Sequence, residues 1–163
     1  MNLDEIYKTH VNDLYRYLYS LSKNHFTAED LVQEAFYRAY IQLEDYEIQS
    51  IRGWLFKVAY HAFIDEKRKS NRLVLGQNLI EGLDQKSSPE QRIIEKEGLN
   101  LLLEVIHTLP EKEKHVLLLC DLNQLSYQEA ADILELRLNT LKSHLHRGRK
   151  KVMKMVKERK IQE

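Results

Sequence analysis

Apolar residues recur along this chain in ones and twos separated by two or three polar positions, the period of an amphipathic helix, while the strict alternation of a half-buried strand is scarce. A first helix is predicted from about Leu3 to Lys23, with Ile6, Leu14, Tyr17, Leu18 and Leu21 along one stripe. Thr27-Ala28-Glu29-Asp30 offers a hydroxyl cap and two first-turn acids, predicting a second helix from Thr27 to about Leu43. Its apolar face is Leu31, Val32, Ala35, Phe36, Ala39 and Tyr40, which leaves Asp30, Gln33, Glu34 and Arg38 on the other side. A third helix is expected from near Ser50 to Lys69, with Trp54, Leu55, Val58, Ala59 and Ala62 pointing inward and a basic end at Lys67, Arg68, Lys69 and Arg72.

From Ser70 to Ser88 the pattern weakens around Asn71, Gly76, Asn78 and Gly82, so this stretch reads as a linker between two small domains, residues 1–69 and 89–163. Ser88-Pro89-Glu90-Gln91 supplies a capping Ser, a first-turn Pro and a Gln three residues after the cap, opening a helix to about Thr108. Pro110 opens the next helix, through Leu119, and Ser126-Tyr127-Gln128-Glu129 is a capping box before a short helix to Leu134. A turn at Glu135-Leu136-Arg137-Leu138 precedes a last, basic helix from near Asn139-Thr140. The chain is therefore expected to be all-α, two small helical domains joined by a flexible linker.

Ser126 to Lys150 has the proportions of a helix-turn-helix. Ala130 and Ala131 allow a close crossing, and Leu136, Leu138, Leu141 and Leu145 are placed to seal it. With Leu141 and Leu145 inward, Thr140, Lys142, Ser143, His146, Arg147 and Lys150 point largely outward, a set of donors suited to base edges and phosphates.

Charge sharpens this picture. The formal net charge is zero, yet ten Lys/Arg face two carboxylates between Arg137 and Glu163, a net of +8, so the other 136 residues carry −8. Such asymmetry suits one anionic partner and a second that accepts an acidic surface. The single cysteine, Cys120, lies in an apolar run and reads as a core residue in a reducing compartment. The start Met1-Asn2-Leu3-Asp4-Glu5 lacks a basic stretch followed by an apolar one, and no segment approaches a membrane span of about 18 apolar residues. Neither export nor insertion is expected.

Seven His residues invite a metal or hydrolytic reading. His144 and His146 are two apart on a helix, hence about 200° around it, and no HExxH, Gly-rich phosphate loop or nucleophile elbow occurs. No catalytic residue, metal or cofactor is expected. The remaining rivals are a stand-alone helix-turn-helix regulator, which would bind its operator without a polymerase, and a protein-binding adaptor, disfavoured by the +8 segment.

The stretches Leu109-Pro110-Glu111-Lys112, Leu125-Ser126-Tyr127-Gln128-Glu129-Ala130-Ala131 and Thr140-Leu141-Lys142-Ser143 together resemble region four of bacterial sigma factors. Ala28-Glu29-Asp30-Leu31-Val32-Gln33-Glu34-Ala35-Phe36-Tyr37-Arg38-Ala39-Tyr40, with Trp54-Leu55-Phe56-Lys57-Val58-Ala59, Asp65 and Arg68, resembles region two. Both occur in the expected order and cover nearly the whole chain. With no intervening regions, the pattern is similar to the minimal extracytoplasmic-function (ECF) group.

The resemblance implies a non-enzymatic, cytoplasmic transcription-initiation factor whose partners are core RNA polymerase and promoter DNA, with no small-molecule substrate. It assigns Asp30, Gln33, Glu34 and Arg38 to polymerase clamp helices. The Trp54 helix would read the minus-ten element, where aromatic and cationic side chains suit an unstacked strand; Lys57, Tyr60, His61 and Arg68 are the candidates, and Trp54 is expected in the core. His61 stands where the family commonly has Asn, so minus-ten preference is expected to differ. The minus-thirty-five element would fall to Arg137, Asn139, Thr140, Lys142, Ser143, His146, Arg147 and Lys150. The resemblance also implies control by an anti-sigma factor, often membrane-bound in relatives, and a stress or envelope regulon.

Overall fold

The computed structural model describes residues 2–42, 50–76 and 97–161. The chain divides into two compact units, Met1–Gln91 and Arg92–Glu163. Every regular element among the described residues is helical, in keeping with the all-α expectation.

In the first unit α1 spans Leu3–Ser22, α2 His25–Gln42 and α3 Ile51–Gly76. Asn2 caps α1, its Oδ1 accepting from Glu5 N–H at 2.8 Å, and Lys23 ends it in the left-handed region (φ 55°) with its N–H on the Tyr19 carbonyl. The cap of α2 differs from the sequence expectation. Asn24 receives the Thr27 N–H on its side chain at 3.1 Å, so the helix begins two residues before Thr27, whose hydroxyl is not the cap. Ser50 caps α3, accepting from Gly53 N–H at 3.3 Å.

The three helices pack on one another. Their shared core contains Leu14, Tyr17, Leu18, Leu31, Ala35, Leu55, Val58, Ala59 and Ala62. One expectation is corrected here. Trp54 is only half-buried, while Phe56 is 1% exposed and meets Tyr17 at a ring-centroid distance of 4.9 Å. A buried aromatic pair of this kind contributes about 0.5–1.5 kcal/mol beyond its area. Arg52 covers the outer face of the same ring, its guanidinium 4.8 Å from the centroid. Helix α3 also runs to Gly76, seven residues past Lys69, so the start of the expected linker is helical; residues 77–88, and the Ser88 cap with them, lie outside the described residues.

In the second unit α4 covers Glu97–His107, α5 Glu111–Leu117, α6 Tyr127–Leu134 and α7 Leu138–Ile161. Helix α5 widens into a π-helical turn over Leu118–Leu122 instead of continuing regularly to Leu119. Asn123 donates from its side-chain amide to the Leu118 carbonyl at 2.6 Å, satisfying an acceptor at this turn. Helices α4, α5 and α6 all pack against α7. Val105, Val116, Leu118, Leu119, Ala130, Leu141 and Leu145 form the core, with Cys120 buried beside them.

Candidate nucleic-acid and protein interfaces

The helix-turn-helix is built as the sequence suggests, with small differences at its turn. The capping box is closed on both sides: Ser126 Oγ accepts from Glu129 N–H at 3.0 Å, and Glu129 Oε1 accepts from Ser126 N–H at 3.2 Å. Glu135 reverses the chain in the left-handed region (φ 56°), and Leu136 N–H returns to the Ala131 carbonyl at 2.9 Å. Ala130 and Ala131 are buried in the crossing. Helix α7 begins at Leu138, one residue earlier than expected, which leaves Leu138 exposed; Leu141 and Leu145 seal the crossing without it.

The residues expected to face DNA on this unit are exposed: Arg137, Asn139, Thr140, Lys142, Ser143, His146, Arg147 and Lys150. The Ser143 hydroxyl donates to the Asn139 carbonyl at 3.1 Å, leaving its oxygen lone pairs outward. Arg147 is oriented by a neighbour the sequence reading did not include. Its Nη2 lies 3.0 Å from His144 Nδ1, and burial followed by the nearby Arg147 and Lys112 cations holds the His144 pKa below its ordinary value. A neutral His144 accepts from Arg147 and narrows the conformations available to that guanidinium.

The basic run is not all one surface. Arg149 makes a two-point contact with Asp121 at 2.9 and 2.6 Å, Lys151 reaches the buried Glu113 carboxylate at 2.9 Å, and Arg159 meets Glu104 at 3.0 Å. These three fasten α7 to the rest of the unit. The outward face keeps Lys142, Arg147, Lys150, Lys154 and Lys157.

On the first unit, spacings of four and seven residues along α3 bring Lys57, His61 and Arg68 to one exposed face. Tyr60 is half-buried at its margin and meets the His61 ring edge-on at 5.6 Å between centroids. Half-buried Trp54 lies seven residues before His61 and so shares this side of the helix.

Asp30, Gln33 and Glu34 are exposed on α2, as expected. Asp30, Glu34 and Arg38 line a groove of about 340 Å³ between α2 and α3, closed on its other side by Asp65, Glu66 and Lys69. Arg38 bridges it, Nε to Glu34 at 3.0 Å and Nη1 to Asp65 at 2.9 Å, so its guanidinium ties the two helices together. Both carboxylates raise the Arg38 pKa against the opposing effect of burial. Gln33 lies away from the groove, on the outer face of α2. Tyr40, expected in the core, is 61% exposed on that same face. Among the described residues no cluster of three potential metal ligands occurs.

Residues 6–73 match the family Sigma-70 region 2, and residues 99–152 match Sigma-70, region 4. The chain is 39% identical over 155 residues to the ECF RNA polymerase sigma factor SigM of Bacillus subtilis (strain 168), covering 93% of each chain. It is 31% identical over 168 residues to SigW of the same organism, covering 94% of this chain and 87% of SigW. Among solved structures, the sigma factor RpoE bound to the anti-sigma factor NepR from Bartonella quintana has the same fold. Its TM-score is 0.79 at 24% identity, over 94% of this chain and 96% of that one.

Proposed function

The chain belongs to the ECF sigma factors of the sigma-70 family, and from that premise we propose how its surfaces divide the work of initiating transcription. Helix α2 docks on core RNA polymerase through Asp30, Gln33 and Glu34. Arg38 supports them by holding Glu34 and fixing α2 to α3. The α3 face of Lys57, Tyr60, His61 and Arg68 holds the opened minus-ten strand. Cations there bind the backbone, and aromatic stacking supplies about 1–3 kcal/mol per base, comparable to the cost of unstacking it.

The second unit reads the minus-thirty-five duplex. The N-terminal part of α7 enters the major groove, where Arg137, Asn139, Thr140, Lys142, Ser143, His146, Arg147 and Lys150 supply base and phosphate contacts. The observation that carries this reading is the capped helix-turn-helix with its outward cations, whose inward cations are spent on α4, α5 and the π-turn. The domain limits accompanying the reading are 1–69, 70–88 and 89–163. The protein acts without a catalytic residue or cofactor of its own. It works in the cytoplasm, on the nucleoid when active, and serves a stress or envelope regulon. An anti-sigma factor holds it inactive, as the pairing of RpoE with NepR suggests, and keeps it at the membrane where that partner is anchored.

The test is transcription by purified bacterial core polymerase with and without this protein on a promoter library, with the transcripts sequenced. New start sites sharing two spaced elements are the expected result. No new starts, together with tight polymerase-independent binding to duplex DNA, would overturn it in favour of a stand-alone regulator.

A further inference from the structure

Helix α7 carries a histidine outside the set assigned to DNA. His144 is half-buried near Lys112 and Glu113 of α5, while Arg147, one turn further along α7, is exposed among the proposed DNA contacts. A guanidinium has no acceptor, so the 3.0 Å contact between Arg147 Nη2 and His144 Nδ1 requires a ring that is bare at Nδ1 and carries its one proton on Nε2. Among the described residues the other cations of that surface, Arg137, Lys142 and Lys150, have no such tether. The difference bears on what each can read. A free cation on a long stem follows a phosphate wherever it lies. Reading a base edge instead needs the planar fork of an arginine held at a fixed angle to guanine O6 and N7, and the donors that Arg147 does not spend on His144 remain for that.

We infer that His144 is the positioning residue through which Arg147 discriminates between base pairs of the minus-thirty-five element, and that this discrimination is lost when the ring takes up a proton. The inference rests on the duplex-reading role proposed for α7. Protonation at Nδ1 removes the acceptor and sets two cations 3.0 Å apart, so Arg147 swings free and becomes one more phosphate-seeking charge. The charges acting on the ring stand on α7 itself and on α5, against which it packs. Burial opposes protonation, as do Arg147 on α7 and Lys112 on α5; Glu113 on α5 favours it, tempered by its own pairing with Lys151 at 2.9 Å. Burial and the two cations prevail, so the ring is neutral and the tether intact at pH 7, and the tether is lost as pH falls. Ordering a rotamer-rich side chain before it binds is worth about 2- to 10-fold in affinity, and only the base pair that Arg147 contacts gains it.

The test uses holoenzyme assembled from core polymerase and the full-length protein, on a promoter obtained from the library and on copies with single substitutions in its minus-thirty-five element, between about pH 5.5 and 8. The quantity read is the ratio of affinities for the original and the substituted promoter, in which the pH responses of the polymerase and of non-specific phosphate binding cancel. Arg147→Ala identifies the base pair that Arg147 reads. At that pair the wild-type ratio should be highest near pH 8 and fall about 2- to 10-fold toward pH 5.5. His144→Ala should show the lowered ratio at every pH. His144→Asn, whose amide oxygen takes the place of Nδ1, should keep the high ratio and lose the pH response, with His146 and every other histidine unchanged. A wild-type ratio that does not vary with pH, an undiminished ratio in His144→Ala at pH 8, or a pH response that survives in His144→Asn would overturn the inference and leave α7 as the duplex reader. Discrimination unchanged at every pair in Arg147→Ala would take down the base contact and the inference together. An absence of new starts in the library test would remove the reading on which both rest.

Discussion

Gly148 sits where α7 crosses α5, between the proposed DNA contacts Arg147 and Lys150, and its replacement probes how closely the helix-turn-helix is fitted to its support. A Cβ placed there would lie 3.0 Å from Leu117 Cδ1, 3.3 Å from Leu117 Cγ and 3.5 Å from Glu113 Cβ. On an exposed helix Gly→Ala would stabilise by about 0.8–1.0 kcal/mol. Here Leu117 is 3% exposed and enclosed by the core, so it cannot swing clear, and overpacking costs about 1–3 kcal/mol. The balance for Gly148→Ala is a loss of about 0–2 kcal/mol. Gly148→Val adds two further methyl groups and χ1 restriction and should lose about 3 kcal/mol or more.

Cys120 supplies a probe confined to the second unit of the intact protein. It is the sole cysteine of the sequence, it is buried, and burial pushes its thiol up to about 11, so it reacts with a disulfide reagent only when the unit opens. Where opening and closing are fast, the labelling rate follows the open population. Gly148→Ala should leave the rate unchanged or raise it by up to about 30-fold, and Gly148→Val should raise it more than about a hundredfold, at 1.4 kcal/mol per tenfold. Slower labelling in Gly148→Ala would refute the reasoning, since it would show that the crossing has room and that propensity alone governs the site.

The same thiol makes stability depend on pH. Its folded pKa is raised from 9.0 to about 11, so the contribution is complete below about pH 9 and lost as pH rises through about 11; Cys120→Ala should remove that part of the alkaline loss in urea unfolding across pH 8–11. Ser126→Ala opens the capping box and should cost about 1 kcal/mol, read as roughly fivefold faster Cys120 labelling. Lys142→Gln or Lys150→Gln should each lower the salt slope of minus-thirty-five duplex binding by about 1. Arg149→Gln should lower it less and instead weaken the second unit, because that guanidinium is bound to Asp121; an equal slope change in all three would show that Arg149 also faces phosphate.

The sequence by itself determined the helices, the Ser126 capping box of the second unit and the two outward faces of α3 and α7. Those features are local: a period of 3.6 fixes which side chains share a face, and Ser126 with Glu129 closes a box within four residues. The family was legible for the same reason, since its motifs are contiguous stretches of α2, α3 and the helix-turn-helix. What the sequence misplaced depended on neighbours far along the chain. Phe56 rather than Trp54 fills the core because Tyr17 of α1 is there to receive it. The cap of α2 was a local miss instead: Asn24, three residues before Thr27, accepts the Thr27 N–H. The +8 segment read as one surface, and only packing against Asp121, Glu113 and Glu104 separated the cations that hold α7 from those left for a partner. The exposure of Phe26, Tyr37, Tyr40 and Ile41 was hidden for a related reason. Periodicity on α2 shows two apolar arcs, and tertiary contacts alone decide which one the core of a small three-helix unit has space to bury.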